Sequence, residues 1–160
     1  ALFGRSPKLE YIASPCDFQS FKSTPFEQLS TDHIDLLLKW FEEGLGSRRP
    51  ELIGLVQSLV DELFGLPDSI RTDLLNALTW LYQENALGNR EIRFGDLEAN
   101  LDLLDSWDLE PALEILGYQI YDSSVKNLRR FLSHESSSVR TAARLAVQRI
   151  EMTRWFRRAS

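Results

Sequence analysis

Between Pro50 and Gly65 the residues Leu52, Ile53, Leu55, Val56, Leu59, Val60, Leu63 and Phe64 recur at three- and four-residue spacing, the signature of one broad helical face. Pro50 stands where a first-turn proline is tolerated, because the amide it lacks would have no partner there. A stripe this wide must be covered on two sides. The segment therefore predicts a central helix with other helices packed around it.

The neighbouring segments supply those helices. Ser30 or Thr31 caps a helix that places Asp32 near its positive end and aligns Ile34, Leu37, Leu38 and Phe41 before Gly44. After Pro67 and Asp68 a third helix buries Ile70, Leu74, Ala77, Leu78, Leu81 and Tyr82 and closes near Gly88. From Phe94 to Trp107 the residues Leu97, Leu101 and Leu104 predict a further helix. Asp108 then caps a shorter one, with Pro111 in its first turn and Leu113, Ile115 and Leu116 behind it up to Gly117. No stretch alternates as a strand and hairpin would. The expected fold is all-α, with five to seven antiparallel helices in a short array or bundle.

Residues 1–29 carry Pro7, Pro15 and Pro25 and the rings of Phe3, Tyr11, Phe18, Phe21 and Phe26 without a period. They read as an extended N-terminal arm whose aromatics drop into grooves of the body, since a free linker seldom carries so many rings. Residues 30–160 read as a single helical domain, because 160 residues suffice for one ordinary core. The chain begins at Ala1, as it would after removal of an upstream leader or domain.

Composition excludes several classes. With 43% hydrophobic and 26% charged residues the chain is neither disordered nor membrane-spanning, and no apolar run reaches transmembrane length. The lone Cys16 cannot form an internal disulfide, which points to a reducing, cytoplasmic setting. It has no basic or His neighbour to activate it as a nucleophile. His33 and His134 stand apart without partners at metal-ligand spacing, so capping or surface roles are expected of both. No phosphate-binding glycine loop, nucleophile elbow or other cofactor motif occurs. The chain reads as non-catalytic, with no cofactor and no metal.

Charge is what remains to carry function. Residues 94–122 hold Asp96, Glu98, Asp102, Asp105, Asp108, Glu110, Glu114 and Asp122 with no Lys or Arg, while residues 123–160 hold nine bases against Glu135 and Glu151. One reading makes these solvated helix faces that neutralise one another. The other makes them two binding surfaces. On the acidic side Asp102, Asp105, Asp108, Glu110 and Glu114 surround Trp107, which either plugs a helix junction or anchors a basic protein partner. On the basic side Arg140, Arg144, Arg154, Arg157 and Arg158, with Trp155 and Phe156 among the last three, suit a nucleic acid or an anionic surface. Alternatively, those cations complement a helix C-terminus and the two rings staple its last turn.

The segment from Tyr121 to about Glu151, SSVKNLRRFLSH followed by SSVRTAARLAVQRI, resembles one HEAT repeat. Val139, Arg140, Ala142, Ala143, Ala146, Val147 and Ile150 fall on the positions of that family's second helix, although Ser136, Ser137 and Ser138 replace its Asp-Pro pair. Small residues on one face let two helices approach closely. The resemblance covers about a fifth of the chain and implies a HEAT-like array. HEAT-like proteins are usually scaffolds, adaptors or inhibitors. Size, acidity and the lack of catalytic groups add the thought of an inhibitor of the immunity-protein type. A subunit of an enzyme complex, such as a HEAT-like lyase, is the third reading.

Overall fold

The computed structural model describes residues 17–44, 46–119 and 125–159. Among the described residues the chain is all-α, with no strand. Its helices are α1 (Asp17–Lys22), α2 (Thr31–Glu43), α3 (Arg49–Asp61), α4 (Asp68–Gln83), α5 (Gly95–Ala99), α6 (Ser106–Tyr118), α7 (Val125–Arg129) and α8 (Ser137–Ala159), with turns of 3-10 helix between several of them. The chain divides into two compact units, residues 1–74 and 75–160, and α4 runs from the first into the second.

In the first unit, the described part of the expected arm is not extended from Asp17 to Lys22. Phe18 and Phe21 stand three residues apart, the spacing of neighbours on a helix, and both are buried from α1. Six residues are too few to display a period. Phe18 stacks on Trp40 at 4.3 Å, with the Arg48 guanidinium 4.7 Å from its ring, and Phe21 meets the edge of His33 at 5.1 Å. After Lys22 the arm continues through a 3-10 turn at Phe26–Gln28, with Phe26 half-buried, while residues 1–16, Cys16 among them, lie outside the described residues.

Helix α2 is capped by Ser30 at its start and by Gly44 at its end, where a φ of 62° is the left-handed conformation that glycine adopts without strain. Its buried side is Ile34, Leu36, Leu37 and Trp40, leaving the expected Leu38 and Phe41 half-buried at its border. The Thr31 hydroxyl donates to Asp73 at 2.8 Å, tying the start of α2 to α4. Helix α3 buries Leu52, Leu55, Val56, Leu59 and Val60 and stops at Asp61; the predicted continuation to Gly65 tightens into a 3-10 turn that still buries Leu63.

In the second unit α4 ends at Gln83 and is closed by Asn85, three residues before Gly88. Asn85 adopts φ 58° while the Ala86 amide donates back to the Leu81 carbonyl at 2.8 Å, the six-to-one closure of a left-handed helix cap. The single helix expected from Phe94 to Trp107 is instead α5, a 3-10 turn at Leu101–Leu103 and the start of α6. At the break the Asn100 side chain donates to the Asp96 carbonyl at 2.8 Å, a local bond that competes with helix continuation. Leu97, Leu101 and Leu104 are buried all the same.

Helix α6 packs along α8. Gly117 does not end α6. It lies inside that helix, where a Cβ would fall 2.9 Å from both Cα and Cβ of Ala146. Close approach therefore requires this glycine. The face of α8 that meets the core carries Val139, Ala142, Ala143, Ala146, Val147 and Ile150. From the first turn of α8, Arg140 Nη1 donates back to the carbonyls of His134 (2.7 Å) and Glu135 (2.9 Å) and fixes the turn between α7 and α8. Tyr82 stacks on Tyr118 at 5.3 Å, and the Arg149 guanidinium lies 4.1 Å from the Tyr118 ring.

Candidate functional site

The acidic segment folds into two populations of carboxylates. Asp105, not Asp108, caps α6: its Oδ1 accepts the Asp108 amide at 3.0 Å, and its carbonyl accepts the Leu109 amide at 2.9 Å. Two aspartates three residues apart offer alternative starts, and the earlier one opens the helix. Asp108 then falls in the first turn, where the positive end of the helix favours a carboxylate, and it is only 2% exposed. A contact at the exposed surface is closed to it. Pro111 consequently sits inside α6 instead of in its first turn. The backbone carbonyl it deprives of a donor is that of Trp107, a residue open to water, so the usual cost of an interior proline is softened.

Trp107 is 82% exposed, and the plugged helix junction is not where it resides. Leu103, in the 3-10 turn before α6, is 71% exposed. Sequence reasoning passed over Leu103, although it falls off the Leu97, Leu101, Leu104 period and stands beside Asp102, which is the mark of an outward leucine. Helical geometry puts Trp107, Glu110 and Glu114 on one stripe of α6, three and four residues apart. Glu110 is exposed, whereas Glu114 is half-buried and accepts a hydrogen bond from Gln83 Nε2 at 2.6 Å. Asp102 is exposed and pairs with Arg130 at 2.7 Å. Exposed pairs of this kind contribute little to stability. Asp122 lies outside the described residues.

The basic segment divides in the same way. Arg140 belongs to the turn, Arg149 to the Tyr118 ring, Arg129 pairs with Glu151, and Arg130 serves Asp102 and the Phe131 ring. Of the residues expected to bind anions, Arg140 is therefore structural. Arg144, Arg157 and Arg158 are exposed, and Arg154 is half-buried. Trp155 and Phe156 are each 58% exposed and meet edge to face at 5.0 Å.

Both described histidines act as turn acceptors. His33 Nδ1 accepts the Ser30 amide at 3.1 Å, and His134 Nδ1 accepts the Ser136 amide at 3.0 Å. Among the described residues no group of three or more His, Cys, Asp or Glu side chains could hold a metal ion, and no helix is long and apolar enough to cross a membrane. The acidity of Tyr82 is shifted: burial pushes its hydroxyl up to about 12, against a smaller lowering by the nearby Gln119 amide. Neither Tyr82 Oη nor Gln119 Nε2 has a hydrogen-bond partner of good geometry. No family model, no curated protein and no solved structure matches the chain.

Proposed function

We propose that this chain is a non-catalytic protein-binding module, an adaptor or an inhibitor of the immunity-protein type, that engages a basic protein partner through the surface around Leu103 and Trp107. The observation that carries the reading is the indole at 82% exposure, set on the same stripe as Glu110 and close in sequence to the solvent-facing Asp102 and Asp105. A large ring held in water has no folding role to explain it. Buried against a partner, such a ring dominates binding energy, while surrounding charges accelerate encounter and select the sign of the partner. The HEAT-like resemblance of residues 121–151 adds support, because proteins of that kind commonly serve as scaffolds.

Asp105 and Asp108 are unsuitable probes, since one caps α6 and the other is buried. Trp107→Ala and Glu110→Lys alter the exposed stripe and leave the core intact. In affinity capture from the native extract, the wild-type chain is expected to retain basic proteins whose release rises with salt. Trp107→Ala should weaken that retention by more than about thirtyfold, the loss typical of an interface hot spot. Retention unchanged by both substitutions would refute the assignment.

A further inference from the structure

Helix α8 outruns the body it packs on. Its last core residue is Ile150, yet the helix continues to Ala159. At about 100° per residue the buried positions Val139 to Ile150 form one face, and a second apolar seam of Leu145, Met152 and Phe156 lies roughly 130° around the axis from it. Trp155 stands on the shoulder of that seam. Leu145 is half exposed, and Met152, Trp155 and Phe156 are each 58% exposed, so the seam is open to water. Arg154, Arg157 and Arg158 occupy the opposite side, and residues 152–159 contain no acid.

We infer that this projecting end of α8 lies on the surface of an anionic phospholipid bilayer, its seam in the headgroup boundary and its arginines among the lipid phosphates. A helix with aromatic and aliphatic side chains on one face and arginines on the other is the form that binds in the plane of such an interface. A nucleic acid would engage the arginine side alone and leave Met152, Trp155 and Phe156 in water. A second copy of the chain would cover the seam, but would bring two equally cationic tails together. An anionic bilayer satisfies both sides at once. It also fixes orientation: the core-facing side of α8 points away from the seam, and the acidic residues 94–122 are repelled by the same surface that attracts the tail.

The test is co-sedimentation of the full chain with phosphatidylcholine vesicles, with and without phosphatidylserine. The expected result is association with the anionic vesicles only, reversed by high salt, with a blue shift of tryptophan emission that Trp155→Phe abolishes. Replacing Arg154, Arg157 and Arg158 together by Gln should weaken partitioning about a hundredfold. Met152→Ser with Phe156→Ser should abolish it, and since both residues are exposed, circular dichroism should be unchanged. Trp107→Ala should leave vesicle binding intact, which separates this surface from the acidic one. No association at low salt would overturn the inference. So would association indifferent to the Met152 and Phe156 changes, self-association that these changes abolish without any vesicle binding, or a shift of oligonucleotides in place of vesicles.

Discussion

Adding one methyl group at each of two glycines should move stability in opposite directions. Gly54 lies inside α3 with nothing within 4 Å of where a Cβ would sit, whereas at Gly117 that atom would fall 2.9 Å from Cα and Cβ of Ala146. Alanine improves on glycine within a helix by about 1 kcal/mol, through propensity and a less disordered unfolded chain, and this gain is common to both sites. At Gly54 it is the whole effect. At Gly117 an ordinary carbon contact would require α6 and α8 to separate by roughly half an ångström or more, and overpacking of this kind typically costs about 1–3 kcal/mol. Backbone as well as side chain of Ala146 is in the way, so rotamer adjustment cannot relieve the clash. The two substitutions should therefore differ by about 2 kcal/mol, with Gly54→Ala stabilising and Gly117→Ala net destabilising. With a urea dependence of about 2 kcal/mol per molar, the midpoints followed by circular dichroism would separate by about 1 M. Ala146→Gly in the Gly117→Ala background should recover only part of the loss, because the Cα remains. Equal gains at the two glycines would refute the close approach of α6 to α8.

Tyr82→Phe should flatten the alkaline limb of the stability profile. The folded hydroxyl is pushed up to about 12 from an ordinary 10, so its contribution is complete below about pH 10 and is lost as pH rises through 12, an effect of about 2.7 kcal/mol. Urea midpoints at neutral and alkaline pH read this directly, and a wild-type alkaline loss that persists in the variant would contradict it. Asp105→Ala should cost about 1 kcal/mol as a lost helix cap, while Asp108→Lys, which buries a cation in the first turn of α6, should cost more, on the order of 3 kcal/mol; thermal melts that rank them the other way would reject the placement of α6. Arg140→Ala removes two donors from the α7–α8 turn and should destabilise by about 2 kcal/mol, whereas Arg144→Ala, at an exposed site, should stay within about 0.5 kcal/mol by the same measurement.

Helices whose apolar period spans three or more turns were legible from the residues alone. The stripes beginning at Ile34, Leu52 and Ile70 place α2, α3 and α4 within a few residues, because burying one continuous face leaves few alternatives. What escaped was decided by single contacts. Gly44 and Asn85 both turn left-handed at helix ends, but Asn85 closes α4 with Gly88 three residues away, and composition does not rank the two. Gly117 reads as a terminator, yet it lies inside α6 because another backbone, invisible in a linear sequence, passes beside it. α1 is too short for a period to show. Its two buried rings are explained by residues farther along the chain, Trp40 for both, with Arg48 over Phe18 and His33 against Phe21.

The candidate surfaces show why a charge count cannot locate a binding site. The acidic block read as one ridge, but a carboxylate next to a helix start has a structural use that competes with display: Asp105 is committed to a cap, Asp108 to the first turn, and Glu114 to Gln83. The basic block likewise commits Arg140 to a turn and Arg149 to a ring before any remains for a ligand. What distinguishes the displayed charges is their apolar company. Leu103, Trp107, Met152, Trp155 and Phe156 stand exposed near charges of mostly one sign, which is why the two proposals rest on them and not on the charge count. Under the two proposals above, the exposed aromatic residues at each end of the charge gradient would supply the contact, and the surrounding charges would select its sign.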